Sequence, residues 1–165
     1  MALSRSHSLL GARVEFRSDS EALLALADEA YLGLPPVDGP TLHIELRLVD
    51  GDSAFGTEPP VARMLGGAGL LGAAMDANNL ALVNVEASRA LVQVTRELLT
   101  FPYHLRDELI EFAAYTLACR TRGLVHLHAG WVGRRGVGGL LDGASGAVKS
   151  TLALHAMSQG LEFLT

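Results

Sequence analysis

The sequence has few of the features that mark disulfide-bonded, membrane-spanning and secreted proteins. It has one cysteine, Cys119, so no internal disulfide can form and a reducing compartment is expected. Because Cys119 lies among apolar residues of a predicted helix, we interpret it as a small buried hydrophobe. No apolar run reaches the roughly 18 residues that a membrane span needs, and Leu9 and Leu10 are too short a pair for a signal peptide. These absences predict a soluble, cytoplasmic protein.

Blocks of like charge are also missing. The 13 Lys and Arg residues are outnumbered by 18 Asp and Glu residues, which gives a net charge of −5. Nucleic acid and anionic membrane are therefore not expected as main partners, since both require a basic face. The hydrophobic content of 49% excludes a disordered chain, and 165 residues suit one domain or two small ones. There is no internal repeat and no long linker.

Strand and helix patterns alternate along the first 100 residues. A short strand is predicted over residues 9–17, and Ser18 and Glu21 then have the spacing of a capping box. Apolar residues recur along one face of the helix that follows: Leu23, Leu26, Ala27, Ala30 and Tyr31. A half-buried strand is predicted where apolar residues alternate with polar ones: Leu42, Ile44, Leu46 and Leu48. The glycine-rich residues 61–79 are predicted to form a loop or a weak helix.

The remainder of the chain predicts further strands and two helices. Residues 80–86 and 90–95 are typical of a hairpin, and a long helix is expected from Pro102 to Gly123. Strands over 124–132 and 137–142, a helix over 150–159 and the start of a strand at 161–164 follow. The expected fold class is therefore α/β, with a small α+β region over residues 1–100 and a second region over 101–165.

A glycine-rich loop lies between the last predicted hairpin and the last helix. Residues 143–151 approach the phosphate-loop pattern G-x-x-x-x-G-K-[ST]. Gly143 and Gly146 allow the backbone to turn tightly against phosphates, Lys149 supplies a positive charge, and the Ser150 hydroxyl can hold Mg²⁺. The alternative is that residues 133–148 form only a glycine-rich hairpin and turn.

Val148 departs from the pattern, which requires glycine immediately before the lysine. If this position needs a left-handed backbone, a β-branched residue is the least suitable type. Such strain costs on the order of 1–3 kcal/mol. Since about 1.4 kcal/mol is a factor of ten, ten- to hundredfold weaker phosphate binding is expected.

The region around this loop resembles the HPr kinase/phosphorylase-like family, which shares its phosphate-loop core with phosphoenolpyruvate carboxykinases. The resemblance is carried by three segments of sequence: His128-Ala129-Gly130, the run from Val137 to Leu154, and Gly160-Leu161-Glu162-Phe163-Leu164. It implies that residues 101–165 are the first part of a P-loop kinase core. It also implies an ATP- and Mg²⁺-dependent kinase that phosphorylates a serine or another hydroxyl on a protein, peptide or small-molecule acceptor.

The resemblance also assigns residues to roles. His128 matches the catalytic histidine beside the transferred phosphate, and Ser150 matches the Mg²⁺ ligand. The residues implied to bind the ATP phosphates form one continuous run: Gly143, Ala144, Ser145, Gly146, Ala147, Val148, Lys149, Ser150 and Thr151.

Two departures from the family support an alternative. Val148 is the first, and the acidic pair that should follow Leu164 is the second, because the sequence reaches only Thr165 there. The alternative is a catalytically inactive, truncated pseudokinase that acts as an interaction module. An incomplete sheet would leave an exposed edge, which favours a homo-oligomer or a partner strand. An unstable remnant of a broken gene is the third interpretation.

The remaining histidines and Trp131 have simpler explanations. His126 and His128 lie two apart on a predicted strand and share a face, but only His155 is available as a third metal ligand. We therefore interpret His126 as a packed or hydrogen-bonded strand residue. Trp131 is expected in the core, and Arg134 and Arg135 are expected to be solvated turn residues.

Overall fold

The computed structural model describes residues 2–51, 55–57, 60–127, 129–144 and 146–164. These residues form two compact units, Met1–Leu124 (unit 1) and Val125–Thr165 (unit 2). The expected mixture of helices and strands is confirmed. No helix in the described part of the chain combines the length and apolar character that crossing a bilayer requires.

Unit 1 is built on a mixed β-sheet, which we call the larger sheet. Its strands within the described residues are β1 (Leu3–Leu9), β2 (Ala12–Ser18), β3 (Thr41–Val49), β4 (Arg63–Gly67), β5 (Leu70–Ala74), β6 (Leu80–Asn84) and β7 (Arg89–Thr95). Their spatial order is β1-β2-β3-β7-β6-β5-β4. The β2–β3 and β3–β7 pairs are parallel, whereas the other neighbours are antiparallel.

The helices of unit 1 pack on one face of the larger sheet. They are α1 (Glu21–Tyr31), a 3-10 turn (Glu97–Thr100), and a continuous helical stretch made of α2 (Pro102–Leu105), a π-helical segment (Arg106–Glu111) and α3 (Phe112–Thr121). The predicted alternation in β3 is confirmed, since Leu42, Ile44 and Leu46 are fully buried against these helices. Among the described residues, the main hydrophobic cluster lies entirely within positions 12–118.

The helical stretch from α2 to α3 therefore packs on the larger sheet and is part of unit 1. Its contacts are with β6, β7 and α1, and the division between the units falls after Leu124. This point is later in the chain than the boundary at residues 100 and 101 that the sequence suggested. Gly123 ends the helix as expected, with a φ of +64° that glycine adopts without strain.

Three hairpins of the described chain use the same two-residue turn. In each turn both residues have positive φ, which is the type I′ geometry that matches the twist of the flanking strands. The pairs are Leu10-Gly11 (49° and 77°), Ala68-Gly69 (49° and 76°) and Arg135-Gly136 (54° and 79°).

Several sequence expectations for unit 1 are wrong. Residues 61–79 are not a loop or a weak helix, because β4 and β5 form a hairpin there. The capping box is absent, because Ser18 is the last residue of β2 and its hydroxyl donates to the Leu46 carbonyl over 2.7 Å. Helix α1 instead begins after Ser20, which makes no side-chain cap.

Unit 2 contains a smaller sheet and one helix in its described residues. The strands are β8 (Gly130–Arg134), β9 (Val137–Leu141) and β10 (Glu162–Leu164), in the order β10-β8-β9, and the helix is α4 (Lys149–Ser158). The strand predicted over 124–132 begins only at Gly130. Because β9 and β10 are both antiparallel to β8, they run in the same direction, and α4 connects them as a crossover helix.

Candidate functional site

The candidate site is the loop of residues 142–148, which follows β9 and leads into α4. Its described part is held by short hydrogen bonds within the loop. The Gly143 N–H donates to Asp142 Oδ1 over 2.8 Å, and the Ala147 N–H donates to the Ala144 carbonyl over 3.0 Å. Gly146 has a φ of +81°, so the turn uses the freedom that only glycine has there. Sequence and structure thus agree on a strand, a tight loop and a helix.

Val148 adopts the left-handed conformation that the sequence analysis considered as one reason for glycine at its position. Its φ and ψ are 58° and 20°, and it is the N-cap of α4. Among the described non-glycine residues with positive φ, Val148 alone is β-branched. Its side chain is 60% exposed, so the strain is not offset by burial in a core. Glycine would adopt this backbone geometry without strain.

Lys149 is the first residue of α4 and reaches back over the loop. Its Nζ donates to the Gly143 carbonyl over 2.7 Å and to the Ala144 carbonyl over 3.2 Å. An ammonium group has three N–H donors, and these two contacts leave one for an anion at the loop. The amine is therefore fixed close to the backbone that would surround a phosphate.

The start of α4 presents backbone N–H groups next to the loop, in which the Asp142 carboxylate is an acidic group. Its first turn has no acidic residue, and no side chain caps its N-terminal N–H groups among the described residues. Ser150 and Thr151 are exposed in this turn. The positive end of the helix dipole, with N–H groups that no described side chain caps, thus favours a negatively charged ligand.

Two of the residues that the sequence assigned to the site, His128 and Ser145, lie outside the described residues. The other eight loop residues from Gly143 to Thr151 lie together between β9 and the first turn of α4. No three His, Cys, Asp or Glu side chains cluster as a metal site in the part of the chain that the structure describes.

Trp131 stabilises the hairpin that leads to the loop in a way the sequence analysis missed. Gly133 and Gly138 face each other across β8 and β9, and the Trp131 ring lies over both. A Cβ at either glycine would collide with the indole. Trp131 is accordingly half-buried on the hairpin and not in a hydrophobic core, which corrects the sequence expectation. The sequence signal for this packing was the presence of a single tryptophan among the glycines of two adjacent predicted strands.

Comparisons with known proteins give no relative for this chain. No family model matches it, and no curated protein and no solved structure shows significant similarity.

Proposed function

We propose that the chain is an ATP-dependent kinase of the HPr-kinase-like type. It would transfer phosphate to a serine or another hydroxyl on a protein, peptide or small-molecule acceptor. The observation that carries the proposal is the position of Lys149, whose amine lies against the loop carbonyls at the N-terminus of α4. The positioned ammonium, the tight glycine turn and helix N–H groups that no described side chain caps support a place for phosphate oxygens at this loop.

The topology of unit 2 supports the same proposal. The loop follows the carboxyl end of β9, and α4 then crosses to β10, which runs in the same direction as β9. Ligands of α/β proteins bind at such strand ends, where loops and helix N-termini meet.

The roles of the individual groups follow from their chemistry. Lys149 would neutralise and orient the phosphates, and the backbone N–H groups around Gly146 would surround them. Ser150 would hold Mg²⁺, which supplies charge neutralisation between the β- and γ-phosphates. His128 would lie beside the transferred phosphate, as the family resemblance implies.

A second candidate function is favoured by Val148. A β-branched residue in the left-handed region carries strain on the order of 1–3 kcal/mol, and its exposed side chain stands next to the loop. An inactive pseudokinase that serves as an interaction module, alone or as a homo-oligomer, would tolerate this residue without loss of its role.

Calorimetric titration of the full chain with Mg-ATP distinguishes the two candidates. The kinase proposal expects binding below millimolar Kd, weakened at least tenfold in Lys149→Met. Val148→Gly should strengthen binding roughly tenfold, the equivalent of about 1.4 kcal/mol of improved phosphate contact once the exposed valine side chain is removed. Arg134→Met, which removes a cation outside the loop, is the control and should leave the affinity unchanged.

The outcomes have distinct meanings. Binding by Val148→Gly alone would support the pseudokinase, since the loop would then be intact but disabled by one side chain. If neither the natural chain nor Val148→Gly binds Mg-ATP at millimolar concentration, both the kinase and its ancestral phosphate loop are excluded as the basis of function.

A further inference from the structure

The face of the larger sheet that points away from the helices carries a groove that the phosphate-loop proposal does not use. The groove has a volume of about 810 Å³ and extends across β2, β3, β7, β6 and β5. Ligand sites typically occupy roughly 300–1,000 Å³, so this volume lies within their range. Many sheets leave one face exposed to solvent, and such a face is usually flat and polar. The concave shape of this face is therefore the feature that suggests a ligand.

The strand register divides the groove into two halves. Arg17 on β2 and Arg47 on β3 line one half, with side chains 60% and 53% exposed. Leu82 on β6 faces Leu91 on β7 in the other half, and Leu70 on β5 continues this half with 37% exposure. Arg89 lies at the junction, because β7 is the central strand between the two halves.

The charge of this face is opposite to that of the whole chain. The alternation along the strands and the groove lining place five arginines and three carboxylates on it: Arg13, Arg17, Arg47, Arg63, Arg89, Glu15, Asp19 and Glu45. The face thus has an excess of two positive charges on a chain of net charge −5.

The two glutamates are already engaged by neighbouring cations. Glu15 pairs with Arg17 at 2.8 Å and with His43 at 3.1 Å, and the hydrogen bond from Arg17 lowers the pKa of Glu15. Glu45 pairs with Arg47 at 2.7 Å. Arg89, in contrast, has no ion-pair partner among the described residues of the chain, so its charge is available to a ligand.

We infer that this groove binds an acidic segment of a partner protein in which carboxylates are followed by apolar side chains. Arg89, which has no ion-pair partner among the described residues, complements the carboxylates, and the exposed leucines complement the apolar residues. Five strands at about 4.8 Å give a groove roughly 19 Å long, which an extended segment of about six residues spans. Nucleic acid would leave the leucine half without complementary contacts, and a small anion would leave it empty.

Selection from a random octapeptide library displayed on phage tests this inference with the full chain as bait. We expect enrichment of sequences with Asp or Glu at one end and Leu, Ile or Phe at the other. Recovery of these sequences should fall at least tenfold on Arg89→Glu. It should be unchanged on Arg120→Glu, which reverses an exposed charge on α3, away from this face. Leu70→Ser should remove the preference for apolar residues while keeping that for acidic ones.

Circular dichroism spectra of the variants confirm that each is folded before its recovery is scored. No enrichment, enrichment of basic peptides, or equal recovery on Arg89→Glu would overturn the inference. A dimer in light scattering that Arg89→Glu abolishes would also overturn it, since a second copy of the chain would then occupy the groove. None of these outcomes depends on Mg-ATP, so this inference and the kinase proposal fail separately.

Discussion

Tyr31 is a buried residue whose hydroxyl has no hydrogen-bond partner in the described structure. Its ring stacks on Phe16 with 5.7 Å between centroids, and burial, followed by the charge of Glu111, raises its pKa. A buried hydroxyl without a hydrogen-bond partner destabilises the folded state, whereas burial of the aromatic ring stabilises it. We expect Tyr31→Phe to raise the free energy of unfolding by about 1 kcal/mol, measured by urea denaturation.

Tyr31→Ala is the matched control, because it removes the ring as well as the hydroxyl. It should lower the free energy of unfolding by roughly 3–5 kcal/mol, as loss of a large core side chain does. A destabilising Tyr31→Phe would show that the hydroxyl is bonded in solution.

Val148 shows how far a single position can be interpreted from sequence. The pattern requires glycine before the lysine, so a left-handed backbone could be expected, and φ is indeed 58°. The contacts of Lys149 with two loop carbonyls could not be expected, because they depend on how the whole loop folds back towards α4.

At the scale of elements, the β8–β9 hairpin offers a sharp comparison between adjacent glycines. A Cβ at Gly138 would collide with the Trp131 ring, whereas a Cβ at Gly139 meets nothing within 4 Å. We therefore expect Gly138→Val to displace the indole into water and shift its fluorescence emission to longer wavelength. Gly139→Val should leave the emission unchanged and favour the strand, since valine has the higher β-propensity.

Trp131 is the one tryptophan of the chain, so emission reports this site without interference. Equal spectra for Gly138→Val and Gly139→Val would contradict the packing of the ring on the glycines.

Elements with clear periodicity or a terminating glycine were predictable, and elements with neither were not. The alternation of apolar residues predicted β3, and Gly160 predicted the end of α4, each within one or two residues of the observed bounds. In β4 every residue is exposed, so its sequence had no buried face to reveal. In β1 the serines at alternate positions hide the pattern, and the turn at Leu10 and Gly11 lacks the usual Asn or Asp.

At the scale of the whole molecule, the buried apolar residues are distributed unequally. The main hydrophobic cluster of the described residues belongs to unit 1, while Ala153 is the buried hydrophobic residue in the described part of unit 2. We expect a fragment of residues 1–124 to melt cooperatively, with a midpoint close to that of the corresponding transition of the full chain. Circular dichroism during heating measures the cooperativity and the midpoint of the transition for the fragment and for the full chain.

A fragment of residues 125–165 serves as the comparison. It should lack a cooperative transition, because chains of about 40 residues bury too little surface to fold without further support. Cooperative melting of this fragment, or an unfolded 1–124 fragment, would contradict the assignment of the core.

The loop before α4 could be predicted from the sequence, whereas the groove on the larger sheet could not. The loop is continuous, so a local pattern was enough to locate it. The groove joins side chains from β2, β3, β7, β6 and β5, and the order of these strands is not their order in the chain. Such a surface follows only from the pairing of distant strands.

The parallel pairing of β3 with β7 also determines how the chain reaches its fold. Ile44 is paired with Ala90, and the β4–β5–β6 meander lies between them in sequence. A nascent chain emerging from the ribosome therefore cannot complete the centre of its sheet until β7 has been synthesised. Until then β3 exposes an unpaired edge and an apolar face, so this interval is when the chain depends most on chaperones.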